Sequence, residues 1–267
     1  MKRMLAAVAL IVLGAVPAQG ADSVFDPPLD IRTQNFPETK EAGKTTLTCN
    51  YYPHFMVKQI DEGEVGAFQL SVIPVAGGVR PPCQRENLPT EKVVKPDDWS
   101  GYFKGVKGDF VFLDAEDGVN GGLGFAVFTA DAGKLFEDSA QGALESAMLD
   151  GGKLTLRYTR SFAGECSEPH DGAKCWEQIA AAAGIDKAPK PDCVAGYAKV
   201  KNDNARSYCD QENDKSPECI ATHLKEFDAQ HWDEAPSMVT YRVETVLGAG
   251  KSATKALSSA LSCGPAD

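Results

Sequence analysis

Alternating apolar and polar residues recur along much of this chain, and they predict β-strands. From 45 to 51, apolar side chains take every second position, which is the pattern of a strand with one buried face. The segment 68–75 is apolar on both faces, as expected of a central strand that is covered on both sides. The segments 153–162 and 238–246 share the same alternation, so we expect them to be neighbouring strands with a subdomain inserted between them.

The segment 101–140 carries the clearest hairpin signal. Aromatic-rich apolar runs at 110–113 and 123–128 flank the turn 114–122, which is rich in Asp, Asn and Gly. Such a turn between two apolar runs is typical of a β-hairpin, and we expect this hairpin to lie at the centre of the core. Together the strand patterns predict a mainly β, α+β fold with an antiparallel β-sandwich or barrel-like core.

Other segments show helical spacing of their apolar residues. This spacing predicts helices over 140–148 and 253–261. In the cysteine-rich part, one helix is predicted from 175 to 183, with Gly184 as its end. A second is predicted to begin after Ser216, whose side chain is a good N-cap. Four residues are expected along one face of this second helix: Ile220, Leu224, Phe227 and His231.

These patterns divide the chain into several parts. Residues 1–20 have a basic start, an apolar run and small residues at the end, which are the features of a cleaved signal peptide. The prolines of 21–43 predict an extended arm that lies along a sheet edge. The remainder is predicted to be a β-rich core domain, 44–162 plus 238–267, interrupted by a cysteine-rich helical insertion over 163–237.

Eight cysteines follow the signal, and an even number of cysteines in an exported chain predicts up to four disulfides. Proximity pairs Cys49 with Cys83 and Cys166 with Cys175. Five cysteines lie in the insertion, so at least one must pair outside it, and Cys263 is the expected partner. The remaining connectivity stays open. The residues expected in disulfides are Cys49, Cys83, Cys166, Cys175, Cys193, Cys209, Cys219 and Cys263.

Charge and hydropathy narrow the possible partners. The chain has 27 Lys+Arg against 38 Asp+Glu, a net charge of −11. An acidic protein repels nucleic-acid phosphates and anionic lipid surfaces, so we expect no nucleic-acid partner. The apolar run of the signal is too short to span a membrane, so no membrane insertion is expected after cleavage. The sequence thus predicts a soluble, exported protein, periplasmic or extracellular.

Three sets of residues have metal-ligand chemistry, but each departs from the spacing or the setting that metal binding requires. The turn 114–120 offers three carboxylates and an amide oxygen, yet it does not match the helix-loop-helix calcium signature. His223 and His231 are separated by about 12 Å along a helix, whereas helical histidines that share a metal are one turn apart. A third set contains Cys166, His170 and Cys175, but exported cysteines so spaced more often form a disulfide. We predict no metal and no cofactor.

Catalytic residues are also weakly indicated. No motif for a serine or cysteine nucleophile is present, and His54 and His170 are the best general-base candidates. Asp and Glu side chains would form a glycosidase pair only if the fold brought two of them together. We expect ordinary core packing at the end of the long loop, with Trp99 and Phe103 on one strand face. The alternative is an exposed aromatic platform of Trp99 and Tyr102, whose spacing of three residues would place them on opposite faces of a strand.

The favoured function is a non-enzymatic binding or structural module, because each unusual feature has a structural explanation. The ligand is an unknown protein or carbohydrate. It would meet the loop 76–99, the turn 114–122 or the insertion, since loops on a rigid scaffold usually carry recognition. The alternative is an exported hydrolase that uses carboxylate or histidine chemistry, with or without a metal. A cleft that gathers a histidine with acidic groups would favour this alternative.

Overall fold

The computed structural model describes residues 24–36, 45–119, 122–248, 251–257 and 261–266. The predicted signal peptide and part of the predicted arm lie outside the described residues. In the described part, the chain forms three antiparallel sheets and four α-helices, the latter all between the two longest strands of the third sheet. The predicted mainly β, α+β fold is therefore confirmed.

The first sheet is built from the N-terminal part of the chain. Its strands follow chain order: β1 (Asp30–Phe36), β2 (Thr45–Tyr51), β3 (Phe55–Asp61), β4 (Gln69–Pro74) and β5 (Lys92–Val93). β4 buries the consecutive residues 70–73, which confirms the prediction of a strand covered on both sides. β1 belongs to the predicted arm and pairs with the edge of β2, as expected.

The middle sheet contains the predicted hairpin. Its strands are β6 (Gly101–Lys107), β7 (Phe110–Val119), β8 (Gly122–Thr129) and β9 (Lys134–Ala140). Phe112 pairs with Val127, so the hairpin is confirmed. The predicted extent of its turn is wrong, because β7 continues to residue 119. The register shifts between Asp114 and Gly118, and this irregularity allows the polar segment to remain part of the strand.

The third sheet contains both matched amphipathic segments. Its strands are β10 (Ser146–Asp150), β11 (Lys153–Ala163), β12 (Ser237–Gly248), β13 (Lys251–Ala256) and β14 (Ser262–Pro265). β11 and β12 pair antiparallel, with Tyr158 opposite Val243, which confirms that the two segments are neighbours. β13 and β14 pair with different ends of β12.

Two predicted helices are strands instead. The segment 140–148 leaves β9, turns and enters β10, where Ala147 is buried and Met148 is 46% exposed. Of the segment 253–261, residues 253–256 lie in β13, whose residues are all exposed, and residues 258–260 lie outside the described residues. Both strands lie beside long strands that offer backbone partners, β11 and β12. Inter-strand hydrogen bonds therefore outweighed the weak helical propensity of these short alanine-containing segments.

The helices between β11 and β12 are α1 (Glu168–Asp171), α2 (Ala173–Ala183), α3 (Cys193–Gln211) and α4 (Pro217–Ala229). α2 ends at Gly184, whose φ of 69° is in the left-handed region, and this confirms the predicted end. The Ser216 side chain accepts a hydrogen bond from the Cys219 N–H, which confirms the predicted cap of α4.

The sequence analysis did not predict α3, the longest helix described. Its buried residues are few and widely spaced: Cys193, Tyr197, Ala205 and Cys209. The prediction that His231 lies on α4 is wrong. The helix ends at Ala229, and His231 follows in a left-handed turn with an exposed side chain.

All eight cysteines form disulfides, and both pairs predicted from proximity are confirmed. The pairs are Cys49–Cys83, Cys166–Cys175, Cys193–Cys263 and Cys209–Cys219. Cys263 reaches into the helical region, as predicted, and connects β14 to the first turn of α3.

The middle sheet is buried on both faces, because alternate residues of its hairpin enter different cores. Val111 and Leu113 pack with residues of the first sheet. Phe112 and Phe125 pack with residues of the third sheet and of α2. A third, smaller core lies under the outer face of the first sheet, where Cys83 and Leu88 of the long loop cover it. The hairpin therefore lies at the centre of the molecule, as predicted.

Candidate functional site

A groove of about 400 Å³ opens where the N-terminal arm, the β2–β3 turn and the β6–β7 turn meet. This size is within the range of small-ligand sites, about 300–1,000 Å³. The groove is lined mainly by apolar and aromatic side chains: Pro27, Leu29, Tyr52, Pro53, Phe55 and Val106. The groove lies where the first sheet packs against the middle sheet.

Backbone hydrogen bonds hold the arm across both sheets. The Asp26 N–H donates to the carbonyl of Val106 in β6, with an N···O distance of 2.8 Å. The Leu29 N–H donates to the carbonyl of Tyr51 at the end of β2, at 2.7 Å. The segment between these two bonds therefore spans the join of the two sheets and forms one wall of the groove.

Phe25 anchors the arm from the side of the third sheet. Its ring lies over Gly105, where a Cβ atom would stand 2.5 Å from the nearest ring carbon. Only glycine leaves room for such an approach. The same ring contacts Phe112 edge to face, with the centroids 5.0 Å apart. The arm is therefore fixed against the middle sheet by packing as well as by its backbone.

The Asp26 carboxylate fixes the β6–β7 turn at the rim of the groove. One oxygen lies 3.0 Å from the Lys107 ammonium, and the other accepts the Gly108 N–H at 2.7 Å. Burial alone would raise the pKa of Asp26. The Gly108 hydrogen bond and Lys107 together outweigh burial, so the pKa lies below its ordinary value. Both oxygens of this carboxylate are thus used in holding the turn.

Tyr52 is the polar residue at the floor of the groove. Only 5% of it is exposed, and its ring lies 5.6 Å from that of Phe55. Burial, with a smaller effect of the Asp26 charge, raises the pKa of Tyr52 to about 12. The hydroxyl therefore stays protonated at neutral pH. Its hydroxyl has no hydrogen-bond partner among the described residues and is not one of their buried unpartnered atoms, so it is open to solvent in the groove.

His54 and Asp109 complete the rim, and both are exposed. The backbone of His54 is fixed, because its carbonyl accepts the Val75 N–H at 2.9 Å. The imidazole is the only general-base candidate from the sequence that the fold places in this groove. The groove thus combines an apolar floor, one phenol donor, one imidazole and the carboxylate of Asp109, for which the described part of the chain supplies no ion-pair partner.

His170, the other general-base candidate, lies outside the groove. His170 is exposed on α1, and the carboxylate of its neighbour Asp171 accepts the Ser167 N–H at 2.9 Å. The predicted zinc alternative loses its thiolates, because Cys166 and Cys175 are bonded to each other. This set therefore has a structural role at the start of the helical region.

Two of the three carboxylates in the polar segment 114–120 have partners within the protein. Asp114 forms an ion pair with Lys104, at 2.5 Å between nitrogen and oxygen. Glu116 accepts a hydrogen bond from the Ser100 hydroxyl at 2.7 Å. Residue 120 lies outside the described residues. The carboxylates of Asp114 and Glu116 brace β7 against β6 and the segment before it.

The alternative of an exposed aromatic platform at Trp99 and Tyr102 is wrong, and the prediction that Trp99 packs in the core is confirmed. Trp99 and Phe103 both pack against the core between the first and middle sheets. The indole N–H of Trp99 donates to the Asp114 carbonyl at 3.1 Å. The Tyr102 hydroxyl accepts the Gly66 N–H at 2.7 Å. Each of these aromatic side chains therefore has a partner within the fold.

One buried polar cluster was not indicated by the sequence. Between the middle and third sheets, Asp138 accepts hydrogen bonds from Tyr158 and Arg160. The Tyr158 hydroxyl also lies 3.1 Å from that of Thr245. Burial, and then the bond to Asp138, raises the pKa of Tyr158. Because these groups satisfy one another, the cluster joins the two sheets rather than facing a ligand.

Comparison with known proteins adds no assignment: the chain matches no protein-family model, no curated protein and no solved structure. Of the helices in the described part of the chain, none has both the length and the apolar character that a bilayer crossing requires.

Sequence reasoning found His54 but missed the rest of the groove. Tyr52, Asp26 and Asp109 stand in three separate segments, and nothing in their local sequence marks them as neighbours. The one local signal is the pair Tyr51–Tyr52 before Pro53, where a strand ends and a large side chain remains near the surface. The contact between the segments is a property of the sheet packing.

Proposed function

We propose that this chain is an exported, non-enzymatic binding protein that holds a small ligand in the groove between its first two sheets. The observation that carries the proposal is Tyr52. Its protonated hydroxyl stands at the floor of an apolar cleft and lacks a partner among the described residues. A hydroxyl donor at the base of an apolar cleft favours a ligand that pairs an acceptor atom with it while the apolar part of the ligand contacts the walls.

The lining indicates the chemistry of the ligand. An apolar body would contact Leu29, Phe55 and Val106, and an acceptor atom would meet the Tyr52 hydroxyl. Asp109 supplies a free carboxylate at the rim, whereas the charge of Asp26 is balanced by Lys107. The overall charge of −11 adds to the preference for cations over anions. The ligand class is therefore a small aromatic or aliphatic molecule that is cationic or neutral, a neutral sugar included.

Two exposed residues of the arm provide a matched test. Leu29 lines the groove and Ile31 does not, yet each is 58% exposed. We expect Leu29→Arg to block the groove with a bulky cation and Ile31→Arg to leave it open. Binding is measured by NMR shift changes with three probes that each carry a hydroxyl able to accept from Tyr52: tyramine as the amine, 3-(4-hydroxyphenyl)propionate as the carboxylate and methyl β-glucoside as the neutral sugar.

The expected order of affinity is the amine first and the carboxylate last, with at least a tenfold loss in Leu29→Arg and no loss in Ile31→Arg. Shift changes that are equal in the two variants would contradict the proposed site. If none of the three probes shifts the resonances of the groove, the assignment to small ligands is wrong.

Export is part of the proposal and rests on two supports. Four disulfides persist in oxidising compartments, and residues 1–20 have the pattern of a cleaved signal. Amino-terminal sequencing of the protein recovered from its source tests this part. A mature chain that starts at Ala21 is the expected result, and an intact Met1 would contradict it.

The hydrolase alternative has one supporting observation, which is that His54 shares the groove with Asp109. It predicts that the protein releases 4-nitrophenol from 4-nitrophenyl acetate, and that His54→Gln abolishes the release. We favour binding because both oxygens of Asp26 already hold the β6–β7 turn, which leaves one carboxylate at the rim rather than a pair.

A further inference from the structure

Four polar side chains meet on the outer face of the first sheet, beneath the long loop 76–99. They come from β3, from β4 and from the loop itself: Lys58, Gln69, Asn87 and Glu91. On β3, the residues two positions before and after Lys58 belong to the third core. An amine, two carboxamides and a carboxylate are therefore held together on an apolar surface.

The Lys58 amine is removed from solvent together with its counterion. Its Nζ lies 2.6 Å from Glu91 Oε1, and both side chains are 1% exposed. Removing two charges from water costs free energy, and transfer of one proton from the ammonium to the carboxylate cancels both charges. The transfer leaves a neutral amine, which is the nucleophilic form of lysine.

The Asn87 carboxamide is an electrophile within reach of this amine. Lys58 Nζ lies 3.3 Å from Asn87 Oδ1. The carbonyl carbon Cγ is one C=O bond, about 1.2 Å, from that oxygen. Asn87 is exposed, and the χ2 torsion of asparagine has broad minima, so the amide is free to turn its carbon towards the amine.

Two further groups stand where an attack on this amide needs them. Gln69 Nε2 donates to Asn87 Oδ1 at 2.8 Å, so it stabilises the negative charge that develops on this oxygen when the carbonyl is attacked. The Glu91 carboxylate is fixed, because its Oε2 accepts the Leu88 N–H at 2.9 Å. Once it holds a proton of Lys58, Glu91 is a general acid beside the reacting atoms.

We propose that Lys58 and Asn87 become joined by an isopeptide bond within the folded protein. Lys58 Nζ attacks Asn87 Cγ, the Cγ–Nδ2 bond breaks, and the amide nitrogen leaves as ammonia. Of the three ammonium protons, one remains in the new amide N–H, one leaves with the ammonia and one stays on Glu91. The step needs no oxidant, reductant or cofactor, and the ion pair of Lys58 with Glu91 is the arrangement that precedes it.

The position of the cluster favours this reaction. The disulfide Cys49–Cys83 holds the loop beside Lys58, which stands opposite Cys49 in the sheet. Groups held in contact react as an intramolecular pair, with a large gain over the same groups free in solution. The exposed side of Asn87 gives the ammonia a route to solvent. The new bond fastens the loop to β3 by a link that reducing agents do not break.

Mass spectrometry of the unaltered, mature protein tests the proposal. We expect an intact mass about 17 Da below that calculated from the sequence with its four disulfides, which is the mass of one ammonia. After reduction and digestion with trypsin, we expect a branched peptide that joins Lys58 to Asn87, with no cleavage after Lys58. An asparagine that cyclises to a succinimide loses the same mass but leaves Lys58 open to trypsin, so the digest separates the two reactions.

Two variants remove different parts of the chemistry. Asn87→Ala removes the electrophile at an exposed position, and its mass is expected to equal the calculated value. Glu91→Gln keeps the size of the side chain but removes the proton acceptor, and we expect no ammonia loss there either. The matched control is Asn202→Ala, because the Asn202 amide donates to the Ala198 carbonyl of its own helix at 2.7 Å. This control is expected to retain the ammonia loss.

Circular dichroism checks that each variant is folded, and Asn87→Ala tests the proposal even if Glu91→Gln fails to fold. A full calculated mass for the unaltered protein, with trypsin cleavage after Lys58, would overturn the crosslink. An ammonia loss that persists in Asn87→Ala would overturn it as well, because another residue would then be its source.

Discussion

At the scale of single residues, the most consequential side chain outside the groove is a buried lysine. Lys58 of β3 and Glu91 of the long loop form an ion pair at 2.6 Å, and each side chain is 1% exposed. The ammonium also meets the carbonyls of Arg85 and Glu86 and the side chain of Asn87. This single cation thus holds the loop onto the outer face of the first sheet.

Loss of one partner of this pair is expected to be costly. Lys58→Met leaves the Glu91 carboxylate buried without its cation, so we expect the free energy of unfolding to fall by about 3–5 kcal/mol. The double variant Lys58→Met, Glu91→Leu removes both charges and is expected to lose less than the single variant. Urea denaturation measures both. A loss of less than about 1 kcal/mol for the single variant would contradict the buried ion pair, because only surface substitutions usually change stability so little.

At the scale of elements, the helical region is attached to the third sheet through an unusually close contact. Gly196 in the first turn of α3 lies against β14, where a Cβ atom would stand 1.7 Å from the Cys263 carbonyl oxygen. The disulfide Cys193–Cys263 closes the same contact. The helix and the strand therefore approach at the distance that only a glycine permits.

This close contact predicts that the usual preference of a helix for alanine over glycine is reversed at position 196. Glycine to alanine inside a helix normally stabilises by about 1 kcal/mol. We expect Gly196→Ala to destabilise instead, by about 1–3 kcal/mol, because the new methyl group displaces β14. The control is Ala198→Gly on the exposed side of the same helix, which is expected to cost about 1 kcal/mol from propensity alone. Thermal unfolding compares them, and a more stable Gly196→Ala protein would refute the contact.

At the scale of the whole molecule, the middle sheet is the element that the other parts share. Phe112 belongs to the core with the third sheet, and its neighbour Leu113 belongs to the core with the first sheet. The two side chains are 0% and 1% exposed. A substitution that disturbs the packing on either face of this sheet is therefore expected to weaken both cores, because both depend on the same strand.

We expect the cores to unfold together for this reason. Phe112→Ala and Leu113→Ala are each expected to lower the free energy of unfolding by about 3–5 kcal/mol. Both are expected to shift one common transition, followed by tyrosine fluorescence and by far-ultraviolet circular dichroism. Two separated transitions, with each variant moving a different one, would show that the cores are independent.

Much of the fold could be predicted from local patterns. The alternation in β2, β11 and β12, the apolar run of β4 and the hairpin of β7 and β8 each depend on neighbouring residues in sequence. The cap at Ser216 and the end at Gly184 are local as well. Prediction failed at 140–148 and at the described part of 253–261. There, pairing with a neighbouring strand, rather than the local sequence, determines the secondary structure. Prediction also failed for α3, whose contacts with β14 and α4 compensate for a weak apolar stripe.

The candidate sites could be predicted much less well. His54 is visible in the sequence as a histidine, but its environment is not. The groove needs Asp26 beside Lys107, which are 81 residues apart in sequence. Such juxtapositions depend on long-range packing, and no local pattern encodes them.

The sequence by itself determined the strand pattern, the disulfides Cys49–Cys83 and Cys166–Cys175 and the acidic charge, because periodicity, order along the chain and composition can be read without the fold. Only the tertiary structure decided that the middle sheet is covered on both faces, that Cys193 is the partner of Cys263 and that Tyr52 stands at the floor of a groove. Each of these depends on which sheet faces cover one another. That choice is made by the burial of apolar surface over the whole chain.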